Sequence, residues 1–230
     1  MNLNLYKKNM KKIISFSLWG NNPKYTQGAI RNAELAPEIY PEWICRYYIG
    51  KSTPQEIIDE LKSKSHVEVV MMDEEGDWTG MFWRFEPIAE EDTEIMISRD
   101  CDSRLSMREK HCVDEFINSD KMFHTMIDHP WHGGIMGGMW GAKKGILSDI
   151  KELMDKWPKG NHWQTDQSFL NSTVSPIVAD KILIHDSINV RNFPTKREED
   201  YKFVGEIYGG NDDRQEHWCV LTFPEFKHLD

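Results

Sequence analysis

Alternation of two kinds of segment dominates the first hundred residues and narrows the folds open to this chain. Apolar β-forming runs, "KIISFSLWG" (12–20), "EWICRYYIG" (42–50), "HVEVVMM" (66–72) and "EIMISRD" (94–100), are separated by stretches of helical character. The helical stretches are "TQGAIRNAELAPEIY" (26–40), expected to end near Pro37, "TPQEIIDELKS" (53–63), and "TGMFWRFEPIA" (79–89), expected to stay helical to the residue before Pro87. Strands joined by helical crossovers pair in parallel, with helices covering the sheet. Thr53 with Glu56 around Pro54 predicts a capped helix start, and Ser106 with Glu109 predicts another. The expected fold class is therefore α/β: a Rossmann-like, mostly parallel central sheet flanked by helices, followed by a small irregular C-terminal part.

The second half is less regular. "MFHTMID" (122–128) and "DKILIHDS" (180–187) read as strands, and "ILSDIKELMDKW" (146–157) as an amphipathic helix. "HWQTDQSFLNS" (162–172) reads as a short helix capped near Thr165, and "HPWHGGIMGGMWGAKKG" (129–145) as a glycine-rich loop. At 230 residues the chain fits one domain, with residues 11–105 as one half and 106–230 as the other.

Composition removes several function classes. A net charge of -10 argues against nonspecific duplex binding, which rests on neutralising phosphates with Lys and Arg, so no nucleic-acid partner is expected. Cys45, Cys101, Cys112 and Cys219 form no C-x-x-C pair and read as reduced thiols. "IISFSLW" is too short for a signal-peptide core, and no run approaches the roughly 20 apolar residues that span a bilayer. A cytoplasmic protein without an integral membrane segment is expected, in the host cytoplasm if the chain is viral.

The residues most charged with chemistry are Asp100 and Asp102, in "SRDCDS" at the end of the run "EIMI". In open parallel sheets, ligands bind beyond the carboxyl ends of the strands, where these acids stand. Two carboxylates there suit a hard divalent ion, Mn²⁺ or Mg²⁺, that shares its oxygens with a diphosphate. A solvated acidic turn would have the same sequence.

Several segments together resemble a known family. They are "ISFSLWGNNPKYTQGAIRNAELAPEIYP", "GMFWRFEPIAEEDTEIMISRDCDSRLSMRE", "FHTMIDHPWHGGIMGGMWGAKKG", "TDQSFL" and "FPTKRE", spanning about residues 13–200. The chain is similar to GT-A-fold glycosyltransferases. Within them it is most similar to the small D-x-D transferase domains of bacterial surface-polysaccharide clusters and large DNA viruses.

The resemblance implies a metal-dependent transfer of a sugar from a nucleotide-sugar donor, with UDP as the default carrier, to a glycan or other hydroxyl acceptor. It implies that Ser17, Leu18 and Trp19 face the base, and that Asp73 lies near base or ribose. The other reading of Asp73 is an exposed acid in "MDEEGD". Arg84 would reach the diphosphate or sugar, or else pair with Glu86 or Glu90. Arg99, facing away from Asp100 on an extended chain, would brace the site. His185 would complete the metal shell, which favours Mn²⁺. Lys196 and Arg197 would meet the diphosphate, and Gly138 in "IMGGMWG" would let backbone approach the donor. Asp166 would serve as the acceptor-side base, with Asp128 as its rival. Trp131 and Trp140 are candidates for stacking on sugars or, equally, for ordinary packing among nine tryptophans. "HPWH" offers too few ligands for zinc. A nucleotidyltransferase or phosphohydrolase using the same acids is an alternative, although "LWGNNPKY" has a single glycine where a phosphate loop wants several. A non-catalytic nucleotide-sugar-binding module is another.

Overall fold

A computed structural model describes residues 10–197 and 200–215. Cys219 lies outside them. Seven strands form one sheet in the order β3-β2-β1-β4-β6-β5-β7. They are β1 (Lys11–Leu18), β2 (Ile44–Ile49), β3 (Val67–Met71), β4 (Thr93–Ser98), β5 (Phe123–Ile127), β6 (Trp140–Lys143) and β7 (Ile182–Asp186). All neighbours pair in parallel except β6, which is antiparallel to both β4 and β5. The glycine-rich stretch expected as pure loop thus contains a strand. Only four residues of it pair, too few for alternation to be legible.

Each face of the sheet carries its own core, and strand periodicity divides the side chains between them. Ile14, Phe16 and Leu18 point to one side with Ile95 and Ile97, under helices α1 (Pro23–Ile39), α2 (Gln55–Lys62) and α3 (Met107–Asn118). Ile13 and Met96 point to the other. They lie under 3₁₀ turns at Trp78–Ala89, helix α4 (Ile150–Lys156), and the run of α5 (Thr165–Phe169), a π turn and α6 (Ser175–Val178). Trp140 is fully buried there, stacked on Phe123 at 5.2 Å and edge-on to Phe85 at 5.1 Å. It is a packing residue, and the expectation that it stacks on a sugar is corrected.

Local differences from expectation have identifiable causes. Helix α1 starts earlier, where the Asn22 side chain accepts from the Lys24 amide at 3.0 Å and Pro23 takes the first helical position. It also continues through Pro37. A proline leaves the carbonyl four residues back without its helical donor, and here the ring nitrogen of His66 meets that Ala33 carbonyl at 2.7 Å. Helix α2 starts after Pro54 with no side-chain cap, so the Thr53 capping box does not form. Ser106 does cap α3, accepting from the Glu109 amide at 3.3 Å, but the Glu109 side chain turns inward. Thr165 is the first residue of α5 and does not cap it, and Gln164 before it sits at φ 65°. Helix α4 occupies only the later part of the expected 146–157. Residues 78–89 wind as 3₁₀ turns that include Pro87. No helix among the described residues is long and apolar enough to cross a membrane.

Candidate functional site

The crevice that matters opens at the carboxyl ends of β1 and β4, neighbours where the strand order reverses. Side-chain alternation along β4 carries past its end. Ser98 follows Met96 toward the 3₁₀ side and donates to the Gly137 carbonyl at 2.7 Å. Arg99 follows Ile97 to the opposite side, where Glu109 accepts from its Nε at 3.2 Å and the Tyr40 hydroxyl donates to the same carboxylate at 3.0 Å. Arg99 is 2% exposed and therefore braces the chain from below. Asp100 returns to the 3₁₀ side, at the crevice.

The turn after β4 is held from several directions. The Ser103 amide and hydroxyl both donate to the Asp100 carbonyl, at 3.3 and 3.1 Å. Asn32 of α1 clamps the next residues, donating to the Ser103 carbonyl at 2.9 Å and accepting from the Leu105 amide at 3.0 Å. Gly28 lies so close that a Cβ there would overlap the Cys101 carbonyl oxygen. Side chains of a turn fixed this way keep their aim.

Both acids already face a cation from the chain. Asp102 pairs with the Lys24 ammonium at 2.8 Å, on the first turn of α1. Burial, then the charge of Asp100, raise the Asp102 carboxyl above the usual carboxylate range, while Lys24 pulls it back. Asp100 pairs with the Arg84 guanidinium. The other arm of Arg84 donates to Asp166 at 2.8 Å, and its backbone amide donates to the Ser17 hydroxyl at 3.1 Å. Arg84 is 4% exposed and Asp166 1%. Burial pushes the Asp166 carboxyl up and Arg84 opposes the shift. Glu86 and Glu90, the other expected partners of Arg84, instead pair with Lys151 and Arg46. Gly137 and Gly138 press on this trio. A Cβ at Gly137 would overlap Asp166, and one at Gly138 would overlap Asp100.

Beside the trio, Trp19, the residue after β1, stands in an aromatic bay. Trp78 and Trp83 meet it edge-on at 6.4 and 6.1 Å. Gly76, at φ 103°, lies against the Trp19 side chain and leaves no room for a Cβ. Leu18 is a core residue at 1% exposure, so only its backbone is at the crevice. Asp73 is fully exposed, 3.8 Å from Lys51, beyond an edge strand two places from β1.

Other expected site residues stand elsewhere. The His185 side chain is bonded on both ring nitrogens, to His124 at 2.8 Å and Glu115 at 2.9 Å, and no group of three metal-ligating side chains forms among the described residues. It does not join Asp100 and Asp102. Asp128 is wholly buried and receives Arg108 on both oxygens at 2.8 Å, Arg197 at 2.8 Å, the Ser187 hydroxyl at 2.6 Å and the Val204 amide at 2.8 Å. Against burial, those partners hold its carboxyl below the usual range, the reverse of what a base needs. Arg197 belongs to that hub, donating to the Asp128 carboxylate at 2.8 Å and to the Ser187 hydroxyl at 2.6 Å. Lys196 is exposed, and Trp131 is 55% exposed on the loop before Gly137.

Sequence reasoning missed Lys24 and Gly137. Lys24 carries no local signal, since its partner is 78 positions away, whereas the pair Gly137-Gly138 was visible but only its second member was singled out. The donor set suits a hard divalent ion in part. Asp100 and Asp102 offer carboxylate oxygens from one fixed turn, and such ions commonly take one or two carboxylates plus substrate phosphates.

No protein-family model matches the sequence, and no curated protein matches it. Solved structures do share the architecture. A glycosyltransferase involved in the glycosylation of the major capsid of PBCV-1 is 17% identical, with a TM-score of 0.52 over 78% of this chain and 83% of that one. S. aureus TarS 1-349 is 14% identical, with a TM-score of 0.51 over 77% of this chain and 61% of that one. The same TarS fragment in complex with UDP has a TM-score of 0.50 at 12% identity, over 76% of this chain and 57% of that one. The fold of this chain is the GT-A fold.

Proposed function

We propose that the chain is a glycosyltransferase that moves a sugar from a nucleoside-diphosphate donor, with uridine as the carrier, to a hydroxyl of a glycan acceptor. One observation carries this reading: in a GT-A fold, the Asp100–Asp102 turn stands at the crevice with each carboxylate set against a cation. Asp100 and Asp102 would hold Mn²⁺ or Mg²⁺, which stabilises charge on the departing diphosphate when bound. The chain supplies the rest. Trp19, with Trp78 and Trp83, offers a face for the base beside Ser17, and Lys24 and Arg84 bring positive charge to the diphosphate. Gly138 leaves room for the Asp100 carboxylate, and so for the donor that Asp100 would hold through the metal. Asp166 is the acid set for the acceptor side, and it would serve the acceptor hydroxyl once its oxygen is released from Arg84. A base needs proton affinity nearer the working pH, and burial moves Asp166 that way.

Support for UDP comes from TarS, which is seen with that nucleotide. The buried thiols Cys45, Cys101 and Cys112 suit the cytoplasm. A nucleotidyltransferase is less well supported, because the β1–α1 connection has one glycine, Gly20, where a triphosphate cradle wants several.

The test is a panel of nucleotide sugars with and without Mn²⁺, scored by thermal stabilisation and donor hydrolysis. A UDP-sugar at about 100-fold its dissociation constant should add about 2.7 kcal/mol only with the metal present. Stabilisation by free nucleoside triphosphates and by no nucleotide sugar would contradict the proposal.

A further inference from the structure

The chain between α4 and α5 crosses the rim of the crevice, anchored at both ends. On the donor side, Asn161 accepts on its Oδ1 from the Trp78 amide at 3.2 Å, and Trp78 meets Trp19 edge-on. On the other side, α5 presents Asp166 to Arg84. Trp163 lies between these anchors, two residues after Asn161 and three before Asp166. At no more than about 3.6 Å of chain per residue, its Cα is within about 7 Å of the first and about 11 Å of the second.

Residues 162–165 form a tight turn with Trp163 at its tip. The Thr165 amide donates to the His162 carbonyl at 3.3 Å, and the His162 ring donates to the Trp163 carbonyl at 2.9 Å. Gln164, the third residue of the turn, has φ 65° and ψ 16°, a conformation that this position usually gives to glycine or asparagine. A glutamine kept there bears a backbone cost, and such costs gather where a side chain must be aimed. Trp163 itself is 61% exposed, and its indole has no ring partner and no acceptor among the described residues. An isolated apolar side chain at the surface needs no explanation. This one has company: Trp78, clipped to the same segment through Asn161, is 38% exposed. Two open indoles thus border the crevice, one at the donor bay and one on the Asp166 side.

We infer that Trp163 stacks on a ring of the acceptor, so that the accepting hydroxyl belongs to a pyranoside. This rests on the transferase reading given above, which puts the acceptor on the Asp166 side. A pyranose carries a face of C–H bonds within its rim of hydroxyls. A flat indole covers such a face and keeps its Nε1–H for a hydroxyl at the edge. Residues 161–165 hold no Lys or Arg, which suits a sugar ring better than an anionic bilayer.

The experiment is fluorine NMR of the whole chain labelled with fluorotryptophan, in the presence of UDP and Mn²⁺. The resonance missing from Trp163→Phe belongs to Trp163. Methyl β-glucoside, methyl β-galactoside and methyl α-mannoside are added in turn, with sorbitol as an open-chain polyol that has no ring face. The Trp163 signal should move saturably with at least one pyranoside and not with sorbitol. In saturation-transfer NMR of that pyranoside, Trp163→Ala should weaken binding about tenfold or more (1.4 kcal/mol per tenfold), and Trp163→Phe about threefold or less. The dissociation constant of UDP should hold in both variants, which separates lost stacking from a damaged fold. A Trp163 signal that no pyranoside moves, that sorbitol moves equally, or that anionic vesicles move when no sugar does would overturn the inference. So would a pyranoside affinity unaltered in Trp163→Ala. Absence of metal-dependent UDP-sugar binding in the unaltered chain would instead remove the transferase reading, so the two failures are told apart.

Discussion

Replacing Arg84 with leucine isolates the pair at the centre of the crevice. Arg84 is 4% exposed and divides its guanidinium between Asp166, itself 1% exposed, and Asp100, whose side chain is 44% exposed. Water can take over from Arg84 at Asp100. At Asp166 it cannot, and the Gln167 amide at 2.9 Å is left as its remaining donor. Removing one member of a buried pair costs about 3–5 kcal/mol, because the other charge is stranded. The stranded carboxyl binds a proton more readily, which gives the loss a pH signature. Asp166 already has its folded-state pKa raised by burial above the unfolded value, and the variant raises it further. Between the two values the folded state holds more protons than the unfolded, so stability falls as pH rises through that window. Each unit of extra shift is worth about 1.4 kcal/mol. Urea unfolding of Arg84→Leu should therefore show the full loss at pH 8 and a loss smaller by roughly 1–3 kcal/mol at pH 5. Adding Asp166→Asn should recover about 2 kcal/mol or more at pH 8 and flatten the pH dependence. An equal loss at both pH values, or a double variant weaker than Arg84→Leu alone, would refute the reasoning.

Asp128→Asn should cost about 3–5 kcal/mol, because two buried guanidiniums lose their shared counter-charge. Its carboxyl is held low in the folded state, so that stabilisation is present above the unfolded pKa and is lost as pH falls through the folded one. Acid titration of the variant should thus show a shallower decline below about pH 4. Gly138→Ala puts a methyl onto the Asp100 carboxylate and backbone, and should weaken metal-dependent donor binding about tenfold or more in calorimetry with the far-UV spectrum unchanged. Gly28→Ala meets a backbone carbonyl that cannot step aside, and should lower stability by about 1–3 kcal/mol in thermal unfolding. Burial pushes the Cys45 thiol up to about 12 and raises Cys101 and Cys112, so peptide mapping after native alkylation at pH 8 should leave those three unlabelled.

The sheet was largely legible because strand signals are local. β1 to β5 and β7 announce themselves by runs of Ile, Val, Phe and Tyr, and the D-x-D turn by its place after such a run. What stayed hidden depends on distant partners. Residues 78–89 read locally as a helix but wind as 3₁₀ turns, with Phe82, Phe85 and Ile88 packed against Ile13 of β1 and Met96 of β4. The continuation of α1 past Pro37 depends on a histidine 29 residues later that no local rule anticipates. Arg84 was readable as a cation needing a partner, yet its acids are 16 and 82 positions away while nearer glutamates look equally suitable. Asp128, Arg197 and His185 misled for one reason. A polar residue at a strand end, as Asp128 and His185 are, reads the same whether it faces a ligand or a buried partner, and a cation in a basic patch, as Arg197 is, reads the same whether it meets a phosphate or a buried carboxylate.

The most direct test of the account is anomalous diffraction at the manganese edge from crystals soaked with Mn²⁺ and a UDP-sugar. The account predicts one peak within coordination distance of Asp100 or Asp102, bridged to the diphosphate, and no such peak in Asp102→Asn crystals. A nucleotide sugar bound with manganese remote from both aspartates, or unaffected by the substitution, would contradict it.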